Sequence, residues 1–135
     1  MKKFFTILAG CSFVLALGGS KGTATNLDEV ICNAMKGMQA QEEKKIPYNI
    51  GSYDLIGINV DCKKKALITE KKHIEFSLSD FTDDYKTNSI RNWKNSNCKN
   101  MIFNTDTGWS TTQIIKDVNK NLVLKLEANF GVCSQ

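Results

Sequence analysis

The sequence of 135 residues has a single histidine, His73, and none of its five cysteines stands in a CxxC motif. Without such spacings there is no Cys/His set of the kind that binds structural zinc, so we expect no metal. The sequence also lacks an HExxH motif, a phosphate-binding glycine loop and a nucleophile elbow. These absences argue against the common hydrolase and nucleotide-binding classes, and they favour a protein that is not an enzyme and has no cofactor.

Internal repeats, low-complexity tracts and linker-like runs are absent as well, which favours one compact domain. The fourteen residues from Phe4 to Leu17 carry no charge and are mostly apolar, whereas a transmembrane helix needs about 20 apolar residues. The run follows Lys2 and Lys3 and is followed by small residues, which is typical of an export signal. We therefore predict that the protein is periplasmic or secreted.

A small-residue motif, Gly22-Thr23-Ala24, suits cleavage by a signal peptidase. The predicted division is a signal peptide at residues 1–24 and one small domain at residues 25–135. Cleavage after Gly18 or Ser20 is an alternative.

The signal also contains Leu8-Ala9-Gly10-Cys11, which resembles the lipobox of bacterial lipoproteins. Cleavage at Cys11 would leave the signal with an apolar core of only seven residues. The apolar residues that follow Cys11 would then remain at the start of the mature chain. Ordinary cleavage is therefore favoured. Lipidation of Cys11 is the alternative, and it is the case in which we expect membrane contact.

Removal of the signal changes the charge of the protein. The formal net charge is +4, with 18 basic and 14 acidic residues, and three of the lysines lie in residues 1–24. Fifteen basic against fourteen acidic residues give about +1 for the mature chain. A charge this small gives no reason to expect a nucleic-acid partner.

Four cysteines remain after Cys11 is set aside: Cys32, Cys62, Cys98 and Cys133. An even number suits an oxidising compartment, and four cysteines allow three pairings. The order of predicted elements favours Cys98–Cys133, between the last strand and the helix before it, and Cys32–Cys62, between the first helix and the first strand.

The periodicity of apolar residues predicts an α+β fold. Residues 26–45 form an amphipathic N-terminal helix, with Asn26 and Glu29 as a capping box and Pro47 beyond its end. A second helix, starting near Ser79, lies between two hairpins, the first hairpin ending in a strand with Ile74, Phe76 and Leu78 inward. The prediction is thus an antiparallel sheet of about four strands in two hairpins, stapled by disulfides.

The chain resembles small exported bacterial proteins of uncharacterised function. The resemblance consists of Pro47 before an alternating strand, a later cysteine, the strand "GWSTTQ" and a closing strand that ends in cysteine. It supports the Cys98–Cys133 pairing and implies no catalytic residue.

Three groups of residues are candidates for a site. Asp106-Thr107-Gly108 matches the aspartic-protease triplet, but its flanks differ and we interpret it as a turn. His73 could act as a general base, although a surface position on a strand is the simpler interpretation. Five lysines could form a basic patch at the first hairpin, or a solvated edge: Lys63, Lys64, Lys65, Lys71 and Lys72.

The sequence therefore predicts an exported, non-enzymatic domain that binds a protein of the envelope or of a host. An inhibitor, an immunity factor or an envelope accessory component would fit its size and its predicted disulfides. The alternatives are a small secreted enzyme or toxin that uses His73 and the lysine-rich hairpin, and a lipid-anchored envelope protein.

Overall fold

The structure, a computed structural model, describes residues 26–135, so the predicted signal peptide, its cleavage site and Cys11 lie outside the described residues. The described chain has helices and strands in separate runs, which confirms the α+β class. In order, the elements are α1 (Leu27–Glu43), β1 (Tyr48–Ile50), β2 (Tyr53–Asp61), β3 (Ala66–His73), a 3-10 turn (Leu78–Asp80), α2 (Asp83–Asn97), α3 (Met101–Asn104), β4 (Ser110–Lys116), β5 (Leu122–Ala128) and α4 (Phe130–Cys133).

Helix α1 forms because its apolar residues recur every three to four positions. Ile31, Met35 and Met38 are buried on one side and pack against the sheet. The predicted capping box is wrong, because the side chain of Asn26 makes no capping hydrogen bond. Two acidic residues in the first turn, Asp28 and Glu29, suit the positive end of the helix dipole instead.

The sheet has five strands in the order β1-β2-β3-β4-β5, and the pair β3–β4 is parallel. The sheet thus differs from the predicted one of about four antiparallel strands by a fifth strand and by one parallel pair. Strand β1 has only three residues, too few to show a pattern, and it pairs with β2 across a turn in which Gly51 has φ +64°. The connection from β3 to β4 carries α2 and α3, and a long crossover of this kind is what allows parallel neighbours.

Both long helices cover the same face of the sheet, which we call the inner face. In β3 the inner face consists of Leu67, Thr69, Lys71 and His73, all buried. Helix α1 lies on β2 and helix α2 on β5. On the outer face Lys116 Nζ and Glu70 Oε2 form an ion pair at 2.9 Å.

The predicted orientation of β3 is wrong. The strand ends at His73, and Ile74, Phe76 and Leu78 are exposed rather than inward. Alternate residues of a strand lie on opposite faces of the sheet. In this strand Leu67 packs in the core, so the odd-numbered residues lie on the inner face. A bulge between Leu55 and Gly57 interrupts the alternation of β2, and Leu55 is buried on the inner face.

Two disulfides join the elements, in the pairs favoured by the sequence analysis. Cys32–Cys62 links α1 to the residue after β2, and Cys98–Cys133 links the end of α2 to α4. Cys133 lies in a short helix rather than at the end of a strand. Disulfides persist in oxidising compartments, so the structure indicates an extracellular type of environment.

Helix α2 begins later than predicted. Its N-cap is Thr82, whose hydroxyl oxygen accepts a hydrogen bond from the Tyr85 N–H at 3.0 Å, whereas Ser79 belongs to the preceding 3-10 turn. Among the helices of residues 26–135, none combines the length and the apolar character that a membrane-spanning segment requires.

Candidate functional site

The segment that follows β3, residues 74–80, carries three large apolar side chains in solvent. We call it the binding loop. The side chains of Ile74, Phe76 and Leu78 are 39, 42 and 47% exposed, and Leu122, at the same end of the sheet, is also exposed. Exposed apolar side chains that stand together on one loop are typical of a surface that contacts another molecule.

His73, at the end of β3, holds the start of the binding loop. Its Nδ1 accepts hydrogen bonds from the backbone N–H groups of Glu75 and Phe76, at 3.0 and 2.9 Å. Its ring also stacks on the Phe76 ring, with 4.2 Å between centroids. His73 is buried, so the interpretation as a surface histidine is wrong. The structure gives His73 a role in positioning the loop.

Three further aromatic residues lie beneath the loop and support it. Phe81 meets the His73 and Phe76 rings edge-on, with 5.7 and 5.6 Å between centroids. The hydroxyl groups of Tyr53 and Tyr85 are hydrogen-bonded to each other. Burial, and then this hydrogen bond, raise the pKa of Tyr53, so its hydroxyl stays neutral. The loop therefore rests on a packed aromatic base with satisfied polar groups.

The middle of the binding loop is tied to the turn between β4 and β5. The carbonyl of Phe76 accepts a hydrogen bond from the Val118 N–H at 2.8 Å. In that turn the Asp117 carboxylate accepts from the N–H groups of Asn119 and Asn121, at 2.8 and 2.7 Å, and also from the backbone of Leu78. The Asp117 carboxylate thus accepts hydrogen bonds from both segments that meet here, the binding loop and the turn between β4 and β5.

These hydrogen bonds change the acidity of Asp117. Burial alone would raise the pKa of its carboxyl, but the hydrogen bonds from Asn121, Asn119 and Leu78 outweigh burial and hold the pKa below its usual value. Hydrogen bonds to the charged form are the cause, so the carboxylate stays ionised at neutral pH.

The far end of the binding loop is closed by a second carboxylate. Asp80 Oδ2 accepts hydrogen bonds from the N–H and the hydroxyl of Ser77, at 2.9 and 3.1 Å. The chain has no lysine or arginine between Lys72 and Lys86, while Glu75, Asp80, Asp83 and Asp84 are all exposed there. Along the chain, the apolar side chains of the loop therefore have acidic neighbours.

The five lysines considered as a basic patch do not lie together. Lys63 and Lys64 are exposed in the turn between β2 and β3, and Lys65 Nζ pairs with Asp28 Oδ2 at 2.9 Å. Lys71 and Lys72 lie at the opposite end of β3, and they point to opposite faces of the sheet. Lys71 is buried on the inner face.

The triplet Asp106-Thr107-Gly108 lies in the turn before β4. The Thr107 hydroxyl donates to the carbonyl of Ile102 at 2.6 Å and accepts from the Trp109 N–H at 3.1 Å. Gly108 has φ +82°, a conformation that favours glycine. Thr107 and Gly108 therefore serve the turn, as interpreted from the sequence. Within residues 26–135 no three His, Cys, Asp or Glu side chains are grouped so that they could hold a metal ion.

Comparison with protein-family models, with curated proteins and with solved structures found no match to this chain.

The hydrogen bonds of Asp117 predict a dependence on pH. The folded carboxyl has a pKa below the ordinary value of 3.8, so its stabilisation is complete above that value and is lost as the pH falls through the folded pKa. As the pH is lowered through this range, we expect the melting temperature of Asp117→Asn to fall less than that of the wild type. We also expect the amide protons of Asn119 and Asn121 to exchange at least about tenfold faster, because a charged acceptor is replaced by a neutral one.

Asp106→Asn is the matched control, since Asp106 is exposed in a neighbouring turn. Its amide exchange and the fall of its melting temperature at low pH should equal those of the wild type. Identical behaviour of Asp117→Asn and the wild type between pH 2 and pH 6 would contradict the role of Asp117.

Proposed function

We propose that this protein is an exported, disulfide-containing domain that binds another protein through the binding loop, as an inhibitor, an immunity factor or an accessory component of the cell envelope. The observation that carries the proposal is the exposure of Ile74, Phe76 and Leu78 on a loop whose backbone is fixed by His73 and Asp117. The loop would act by contact and without catalysing a reaction.

The fixed conformation matters for affinity. A flexible loop loses conformational freedom when it binds, and that loss opposes association. Here several groups of the loop already have hydrogen-bond partners within the protein. These are the carbonyl of Phe76, the N–H groups of Glu75 and Phe76, and the side chain of Asp80. Most of the ordering is therefore complete before a partner arrives, and burial of the apolar side chains can contribute to binding.

The charges around the loop define the chemistry of the partner. Four acidic side chains flank it: Glu75, Asp80, Asp83 and Asp84. Complementary charge speeds encounter and fixes orientation at an interface. The partner should therefore present an apolar recess edged by lysine or arginine side chains, and raising the salt concentration should slow association.

Two disulfides support an oxidising location for this contact. We propose that residues 1–24 are removed as a signal peptide and that the mature protein is periplasmic or secreted. Lipidation of Cys11, which would hold the same domain at a membrane, is the alternative. In either case the partner is a protein of the envelope or of a host, and a nucleic acid is not expected.

The test is a binding measurement with loop variants. We expect Phe76→Ser to weaken binding to a partner isolated from the envelope or the medium of the producing cells by about 30-fold or more, because large aromatic side chains dominate interface energies. Leu78→Ser, which leaves the His73–Phe76 stack intact, should also weaken it. Dissociation constants with the purified partner, by calorimetry or interferometry, give the comparison.

The matched control is Ile90→Ser, which removes an apolar side chain that is 51% exposed on α2. It should leave the dissociation constant within about twofold, and unchanged melting temperatures would show that all variants are folded. A partner that binds Phe76→Ser and Leu78→Ser as well as the wild type would overturn the proposal.

A further inference from the structure

The last strand of the sheet, β5, lies at an edge and has one free side. It pairs with β4 alone, and no strand of residues 26–135 pairs with its other side. An antiparallel edge strand directs the N–H and C=O groups of every second residue away from its neighbour. Within the described chain, none of these outward groups of β5 has a hydrogen-bond partner. The strand therefore offers a template for a further strand.

Strand β5 lacks most of the features that prevent pairing at an edge. It has seven residues and contains neither proline nor glycine. Its one irregularity, beside Ile115 and Lys116 of β4, leaves the pairing regular from Leu124 to Ala128. Proline, bulges, short length and charged side chains are the usual means of blocking an edge. Only the last of these applies here, because Lys125 requires an opposite charge in any added strand.

Two exposed side chains give β5 opposite charges on the outer face. Lys125 is opposite Ile114 of β4, and Glu127 is opposite Thr112. These positions alternate with Leu126, which is buried on the inner face. Neither Lys125 nor Glu127 forms an ion pair with another residue in the range 26–135. The edge therefore has one unpaired positive charge and one unpaired negative charge.

We propose that β5 pairs with β5 of a second copy of this chain, antiparallel and about a two-fold axis. The two sheets then continue into each other, and the backbone groups on the free side of each β5 gain partners. Addition of a strand to a sheet edge is a recurrent mode of protein recognition. Two-fold dimers are the commonest symmetric oligomers, and in them one self-complementary surface serves both copies.

The charges of β5 select one register. Residues that face each other in an antiparallel pair share a face of the sheet, so the axis must pass level with one residue. An axis at Lys125 would oppose two lysines and an axis at Glu127 two glutamates, and like charges directly opposite are destabilising. An axis at Leu124 leaves both charges without a charged partner. An axis at Leu126 places Lys125 of each copy opposite Glu127 of the other, which forms two ion pairs.

The same register covers apolar surface at the two ends of the strand. With the axis at Leu126, Leu122 of one copy comes towards Phe130 of the other, and these side chains are 59 and 40% exposed in the single chain. Contact between them would remove apolar area from water. Helix α2 packs on the inner face, where Trp93 shares a buried cluster with Ile115 of β4, so it lies over the sheet and not beside β5.

Sedimentation velocity of the folded protein tests the dimer. We expect the wild type to change from monomer to dimer as its concentration rises from about 10 µM to 1 mM, because mass action favours a weak complex at high concentration. Over the same range the outward amide protons of β5 should exchange more slowly with solvent, because they become hydrogen-bonded. A wild type that stays monomeric throughout would overturn the inference.

Two charge reversals test the register. Lys125→Glu and Glu127→Lys each place like charges opposite each other twice, so each should raise the dissociation constant of the dimer by at least about tenfold. Both side chains are exposed, so both variants should keep the wild-type melting temperature. A mixture of the two variants should dimerise again, because every lysine then faces a glutamate. The double variant Lys125→Glu, Glu127→Lys should dimerise as the wild type does, for the same reason.

Lys63→Glu is the matched control, because Lys63 is exposed in the turn between β2 and β3 and the change of charge is the same. It should leave the dissociation constant of the dimer within about twofold of the wild-type value. Equal dimerisation of the wild type and both single reversals, or a mixture of the two that stays monomeric, would overturn the inference. The binding loop consists of other residues, so none of these results decides the proposed contact with another protein.

Discussion

Removal of the Cys98–Cys133 disulfide is expected to lower the free energy of unfolding by about 4 kcal/mol, on a chain-entropy argument for a loop of 35 residues. Domains of this size are stable by only about 5 to 15 kcal/mol, so the loss is a large share of the total. The double variant Cys98→Ala, Cys133→Ala avoids free thiols. Equilibrium unfolding in urea, compared with the wild type, gives the value.

The other disulfide provides an internal comparison. Cys32–Cys62 has a sequence separation of 30, so its loop entropy is almost the same. Both of its cysteines also pack against the core, unlike Cys98 and Cys133. We therefore expect Cys32→Ala, Cys62→Ala to cost more than the first double variant. A loss below about 1 kcal/mol for either pair would contradict the stapling role.

Intact mass is the control for the oxidation state. Two disulfides take up two hydrogens each on reduction. The same spectrum gives the first residue of the mature chain: a start at Thr25 agrees with ordinary cleavage, and a diacylglyceryl mass on Cys11 would replace the proposed location by a lipid anchor.

Phe103→Ala is expected to lower the free energy of unfolding by about 3 to 5 kcal/mol, because truncation of a buried phenylalanine removes transfer energy and leaves a cavity. Phe103 is fully buried in the core that also contains Ile31 and Met35 of α1. It lies on the short helix α3 beside Ile102, which is also fully buried.

The matched control is Met101→Ala, two residues earlier on the same helix, where the side chain is exposed. It should change the free energy of unfolding by no more than about 0.5 kcal/mol. Urea unfolding of both variants checks the pair. Equal losses would mean that α3 is docked differently and that Phe103 is not a core residue.

The parts of the fold that could be predicted are those in which a local pattern is long. The stripe Ile31, Met35 and Met38 predicts α1, and the alternation through Leu124, Leu126 and Ala128 predicts β5. The parallel pairing of β3 and β4 leaves no such local signal, because it depends on how α2 and α3 return the chain to the sheet.

Strand β3 shows why alternation alone can mislead. The sequence has apolar residues at Leu67 in one register and at Ile74 and Phe76 in the other. The second set is larger, so it predicts the wrong inner face. Leu67 nevertheless lies in the core, because the strand ends at His73 and the later apolar residues belong to the binding loop. Lys71 and His73 are buried as a consequence.

The turn between β4 and β5, which holds the binding loop, could have been recognised by one signal. Asp117 is followed by Asn119 and Asn121, a spacing typical of a turn in which an aspartate accepts backbone N–H bonds. The role of His73 as an acceptor for two N–H groups has no comparable signature, because it depends on the chain turning immediately after the strand.

Photo-crosslinking from the binding loop tests the proposed function most directly. With p-benzoylphenylalanine in place of Phe76, irradiation of the complex should join the protein covalently to its partner. The same residue in place of Ile90 on α2 should give little or no product. A crosslink at position 90 with none at position 76 would contradict the proposal, because the partner would then contact another surface.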